Sequence, residues 1–107
     1  MTTGKPLTNY TNESQQRLIK LVLFLFGDAI NGYSPSALAK SLGCSATIVT
    51  RDMHNLVKAG VAERDDATGA CRLTPRLPQQ AIKVWTSIDR AERRLEESKQ
   101  RFSRNPD

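Results

Sequence analysis

Histidine and cysteine are scarce in this chain, which has one histidine, His54, and two cysteines, Cys44 and Cys71. The cysteines fit no CxxC or Cys/His ligand spacing. That excludes a structural zinc site or a dithiol redox pair and leaves two small hydrophobes of a reducing compartment. The histidine has no serine, cysteine or carboxylate arranged around it as a nucleophile and its partner, and no glycine-rich phosphate loop is present. An enzyme is not expected, and with it no catalytic residue, metal or cofactor. Long apolar runs are missing too. The longest, Leu21 to Phe26, is far short of the roughly 20 residues of a membrane span and has Lys20 and Asp28 beside it. The polar start MTTGKPLTNYTNES lacks the basic opening and apolar stretch of a signal peptide, so a cytoplasmic protein without membrane contact is expected.

A polybasic arm is also absent. The formal charge is +5, yet residues 1–33 carry three basic and two acidic side chains, residues 34–76 six and four, and residues 77–107 seven and five. A positive footprint for a polyanion must come from the fold bringing Lys40, Arg51, Arg64, Arg72 and Arg76 together, because no run supplies it. With 107 residues, 38% of them hydrophobic, the chain suits one domain with a modest core.

What is present is punctuation. Residues 1–11 have no periodicity and read as a flexible tail. From Asn12 to Ile30 the residues Leu18, Ile19, Val22, Phe26 and Ile30, joined by Leu23 and Leu25, recur at helical steps. This first helix is apolar round most of its circumference and is expected to be buried on more than one side, either against its own domain or against a partner chain. Asn31-Gly32 stops it. Ser34-Pro35 is a serine cap followed by proline at the first helical position, opening a second helix to about Leu42 with Leu38, Ala39 and Leu42 inward. The turn Gly43-Cys44-Ser45 has the length that joins two helices at a steep angle. A third helix follows over about Ala46 to Ala59, with Val49, Met53, Leu56 and Val57 inward and Ala46, Thr47, Thr50, Arg51, His54 and Lys58 outward. Strands Val61–Arg64 and Ala70–Leu73, joined by the turn-rich stretch Asp65–Gly69, make a hairpin.

Thr74–Pro78 is expected to break the sheet, and a last helix to run from about Gln79 to Phe102. Its Ala81, Val84, Ile88, Ala91, Leu95, Ser98 and Phe102 step like the seam of a heptad. Two readings stand for it: Ile82, Trp85 and Ile88 pack on the first helix while the charged remainder is solvated, or the seam pairs two copies of the chain. Trp85, flanked by Ile82 and Ile88, is expected in a core or interface rather than stacked on a base.

Helix, tight turn, helix and two-stranded wing between Tyr33 and Leu77 make a winged helix-turn-helix, mainly α with a small hairpin. The expected organisation is a tail over 1–11, the winged domain over 12–77 and a C-terminal helix and tail over 78–107 as a dimerisation element, with a homodimer formed through this helix and the first. The pieces Leu38-Ala39-Lys40-Ser41-Leu42-Gly43, Leu56-Val57-Lys58-Ala59-Gly60, Glu63-Arg64-Asp65 and Arg72-Leu73-Thr74-Pro75-Arg76-Leu77 stand in a gapless register. In that register the chain resembles the N-terminal DNA-binding domain of IclR-family transcriptional regulators, without their effector domain. The resemblance implies a bacterial regulator that binds double-stranded DNA, and it implies no small-molecule sensing; small size and composition add a phage or plasmid as an expected source. The wing, with Asp65 and Asp66 and no lysine at its apex, departs from one that grips the minor groove.

Physical chemistry then assigns candidates. Base contacts would come from Ala46, Thr47, Thr50, Arg51 and His54 on the third helix, with Arg51 forking onto a guanine and the threonines meeting a thymine methyl or a base acceptor. Phosphate contacts would come from Ser34, Ser36, Lys40, Ser45, Arg64, Arg72 and Arg76. Each has a plainer alternative: Arg51 pairs with nearby surface acids, the threonines are ordinary solvent-facing residues, His54 is a neutral surface histidine. The competing function is a protein-interaction adaptor that grips a polymerase, repressor or replication protein through the first or last helix, with little DNA affinity of its own.

Overall fold

The computed structural model describes residues 8–104. The greater part of the expected tail, residues 1–7, and the last residues 105–107 lie outside the described residues.

Helix α1, Glu13–Leu25, begins where the Asn12 side chain accepts the Gln15 amide at 3.0 Å. It gives way to a 3-10 turn over Phe26–Asp28 rather than continuing to Ile30. The Asp28 carboxylate explains the early stop. It accepts the backbone amides of Ile30 at 3.2 Å and Asn31 at 2.9 Å, donors that a continuing helix would have given to its own carbonyls. Those bonds, the one from Asn31 foremost, hold the Asp28 carboxyl below its usual range.

Helix α2, Pro35–Leu42, and helix α3, Ala46–Lys58, follow as the turn residues dictate. Ser34 caps α2 by accepting the Ala37 amide, Gly43 closes it in the left-handed region, and Ser45 caps α3 by accepting the Ile48 amide. Strands β1, Ala62–Arg64, and β2, Cys71–Leu73, pair antiparallel with Ala62 opposite Leu73, Glu63 opposite Arg72 and Arg64 opposite Cys71. Tyr33 extends this hairpin by exchanging both backbone hydrogen bonds with Cys71, at 2.9 and 2.7 Å. The close approach explains Gly32, which has φ +72° and whose missing Cβ would collide with the Cys71 carbonyl.

The core consists of Leu21, Leu25, Leu38, Ala39, Val49, Met53, Leu56, Ala62, Cys71 and Leu73. Within this chain the first helix buries one side only: Leu21 and Leu25 are inside, while Ile19 and Leu23 on α1 and Phe26 and Ile30 beyond its end are exposed, so burial of a second side falls to a partner chain. One expectation fails. Val57 does not point inward and is 45% exposed. The buried face of α3 is centred on Val49, Met53 and Leu56 and swung toward Asp52, which puts Val57 at its edge.

The chain divides into two compact units between Leu73 and Thr74. The second contains helix α4, Arg76–Ser103, which starts three residues before the expected Gln79. Pro78 does not prevent this, because in the first turn the amide it lacks has no intrahelical acceptor. No residue of α4 is buried, and Trp85 is 68% exposed and so outside any core of this chain, which leaves the interface half of its expectation to a second copy. Among the described residues no helix is long and apolar enough to cross a membrane.

Candidate nucleic-acid interface

Helix α3 carries a single acid, and the fold turns it inward. Asp52 is 7% exposed, and Arg17 from α1 reaches it with both arms of its guanidinium, Nε to Oδ2 at 2.7 Å and Nη2 to Oδ1 at 3.0 Å. This bidentate pair satisfies the carboxylate and ties α3 to α1 in one rotational setting. The hydrogen bond to Asp52, more than its charge, raises the Arg17 pKa above the ordinary guanidinium value.

Asp52 belongs to the inward stripe, and the outward face of α3 has no acid. Ala46, Thr47, Thr50, Arg51 and His54 are all exposed along it, with Asn55 and Lys58 beyond. Arg51 holds no ion pair with another described residue, so the surface pairing considered for it does not form. Its backbone carbonyl accepts from Asn55 Nδ2 at 3.0 Å. Thr50 donates its hydroxyl proton to the Ala46 carbonyl at 3.0 Å, which leaves its methyl and its oxygen lone pairs for a ligand. Thr50 and His54 also line a groove of about 430 Å³ between α3 and the hairpin, faced from the other side by Arg64 and Asp66.

The flanking candidates are distributed unevenly. Ser34 and Ser45 use their lone pairs as helix caps and keep a hydroxyl proton to donate; Ser36 and Lys40 are exposed on α2. Arg64 is exposed on β1. Arg72 is committed elsewhere: Nε meets Glu63 at 3.1 Å and Nη1 meets Asp65 at 2.9 Å. Its bonds to Asp65 and then Glu63 raise its pKa. Asp65 in turn accepts the amides of Ala67 at 2.8 Å and Thr68 at 3.0 Å. Held first by Arg72 and then by those amides, its carboxyl is lowered to about 2. The hairpin acid that reads along the chain as an uncompensated charge is therefore the organiser of the turn, and Asp66 is the one left exposed. Arg76 is the first residue of α4, in the second unit.

Cys71 is buried among the hairpin residues, and its burial raises the thiol pKa. Among the described residues no group of three histidines, cysteines or carboxylates could hold a metal ion. Sequence reasoning passes over Arg17 and Asp52, although Asp52 falls one helical turn from Val49 and Leu56 in the inward stripe, and Arg17 four residues before Leu21. A charge at a core position on each of two helices was the available signal.

Among solved structures, ORF112-Zalpha of Cyprinid Herpesvirus 3, in a structure of its binding mode to Z-DNA, is similar over 64% of this chain and all of that one. The TM-score is 0.50 and the identity 17%. HmgR of Pseudomonas aeruginosa is similar over 71% of this chain, with TM-score 0.54 and 24% identity. This chain spans 29% of HmgR. The fold is a winged helix. No protein-family model matches the sequence, and no curated protein matches it.

Proposed function

We propose that this winged helix is a small transcriptional regulator that binds double-stranded DNA and reads its sequence through α3 in the major groove. The observation that carries the reading is the exposed, acid-free face bearing Thr47, Thr50, Arg51 and His54, turned outward in the rotational setting that the Arg17–Asp52 pair fixes on the opposite side of α3. A bidentate Arg51 on guanine O6 and N7 supplies base discrimination. The Thr47 and Thr50 methyls suit thymine, while Ala46 and His54 complete the row. Ser34, Ser36, Lys40, Ser45, Arg64 and Arg76 supply positioning contacts to phosphates. Arg72 contributes only if its pairs with Glu63 and Asp65 open. The Z-DNA-bound structural neighbour and the IclR-like register support a nucleic-acid role for the fold.

A homodimer suits this reading. The seam of α4 exposes Val84, Ile88, Leu95 and Phe102, and pairing it with a second copy would present two recognition helices to a palindromic site. A monomeric mass at micromolar concentration would end that part of the proposal. Selection from a random duplex pool at low salt tests the main reading. The wild type should enrich one sequence and Arg51→Ala should lose the preference; absence of any duplex binding would overturn it.

The adaptor reading draws on the exposed apolar residues Ile19 and Leu23 of α1 and Phe26 and Ile30 just after it. It requires a protein partner that Leu23→Glu releases and Arg51→Ala retains.

A further inference from the structure

The charges of α4 do not alternate round the helix; they segregate. At about 100° per residue, Lys83, Arg90, Arg93, Arg94, Arg101 and Arg104 fall within an arc of roughly 100°. Glu97 is the only acid inside that arc, whereas Asp89, Glu92 and Glu96 gather on another side of the helix with Lys99. The apolar seam of Val84, Ile88, Leu95 and Phe102 lies roughly 140° from the centre of the cations. All six cationic side chains are exposed, and none forms an ion pair with another described residue. Arg101 rests over the Phe102 ring at 5.1 Å, a contact that leaves its donors available.

We propose that this face of α4 is a second nucleic-acid surface, one that binds the phosphate backbone of a duplex without reading sequence. The array from Lys83 to Arg104 is about 31 Å long at 1.5 Å per residue. It is linear and arginine-dominated. Duplex DNA matches it with one negative charge per about 1.7 Å of axis, and guanidinium forks suit phosphate oxygens. A lipid surface fits less well: a membrane that took the apolar seam would meet the acidic side at one flank and leave the cations pointing away. The placement also lets the seam pair with a second copy while the cations stay open. Nothing in this surface depends on how α3 reads bases.

The test titrates the full chain with a mixed-sequence duplex over a range of salt concentrations, comparing wild type with a variant carrying R90Q, R94Q, R101Q and R104Q. Circular dichroism checks that both keep the same helix content. The glutamine variant should bind at least roughly tenfold more weakly, and its slope of log K against log salt should flatten by about 0.9 for each phosphate it no longer neutralises. A variant with lysine at the same four positions should stay within about threefold of wild type, because the interaction is with charge. Unchanged affinity and slope in the glutamine variant would overturn the proposal, as would an equal loss in the lysine variant. Loss of binding to anionic vesicles with duplex binding intact would also overturn it. If Arg51→Ala keeps the sequence preference while the glutamine variant still loses affinity and slope, the reading of α3 fails and this surface stands.

Discussion

Asp52 is the lone acid of α3 and Glu97 the lone acid among the cations on one face of α4, and the molecule treats them in opposite ways. Asp52 is folded under α3 and held by both arms of Arg17; Glu97 stays at the surface of α4 among Arg93, Arg94, Arg101 and Arg104. The same contrast runs through the two units. In the first, Arg72 is spent on Glu63 and Asp65 and Arg17 on Asp52, so charge sets geometry. In the second, the six cations of the basic face hold no ion pair with a described residue and α4 buries no residue, so charge is left for a partner. Stability is concentrated in the winged unit, and long-range electrostatics in the helix that follows it.

The largest expected effect comes from cutting equivalent amounts of apolar side chain in the two units. Leu21→Ala removes a side chain with no exposure and should cost about 2–5 kcal/mol of unfolding free energy by denaturant titration. Ile82→Ala on α4 should change it by less than about 0.5 kcal/mol, because that side chain is 64% exposed. Equal costs would erase the distinction between the units.

Next in size is base discrimination. Arg51→Ala should narrow the gap between a selected site and a mismatched one by about 1–3 kcal/mol in competition binding, with non-specific affinity changed far less. A third pair of variants addresses the two acids directly. Arg17→Ala leaves Asp52 buried without its partner and should lower the melting temperature by several degrees. Glu97→Gln should leave the melting temperature alone and tighten duplex binding severalfold, since it removes a repulsive charge from the basic face.

The smallest effect concerns acid. Asp65 has a folded pKa of about 2 against an ordinary value of 3.8. A depressed carboxyl stabilises the fold fully above its unfolded pKa, and that contribution is lost as pH falls from about 4 to about 2. Asp65→Asn should flatten the decline of melting temperature across that window and leave it unchanged in shape above about pH 5. An identical acid limb in both proteins would show that the Arg72 and turn hydrogen bonds do not hold the carboxylate in solution.

Much of the winged unit was legible because single residues enforce its boundaries. Ser34, Pro35, Gly43 and Ser45 each have a conformational or capping preference that acts locally, and the elements fall where they stand. Boundaries set by competition were not legible. Asp28 ends α1 early by capturing amides, and Pro78 is absorbed into the first turn of α4, because both outcomes depend on which backbone group finds which acceptor. The outward row of α3 followed from periodicity, but the pair that fixes its rotational setting joins residues 35 positions apart, and local pattern does not reveal such a pairing. The basic face of α4 was hidden differently: read along the chain its charges alternate, and only the helical angle gathers them.

Everything proposed for the winged unit turns on whether the acid-free face of α3 meets DNA. Amide chemical shifts of the full chain, followed while a selected duplex is added, probe that face without altering it. The largest changes should fall on residues 46–54, with smaller ones at Ser34, Ser36 and Lys40. Changes confined to Ile19, Leu23, Phe26 and Ile30, or a spectrum that does not respond to duplex at low salt, would show that α3 is not the reading helix.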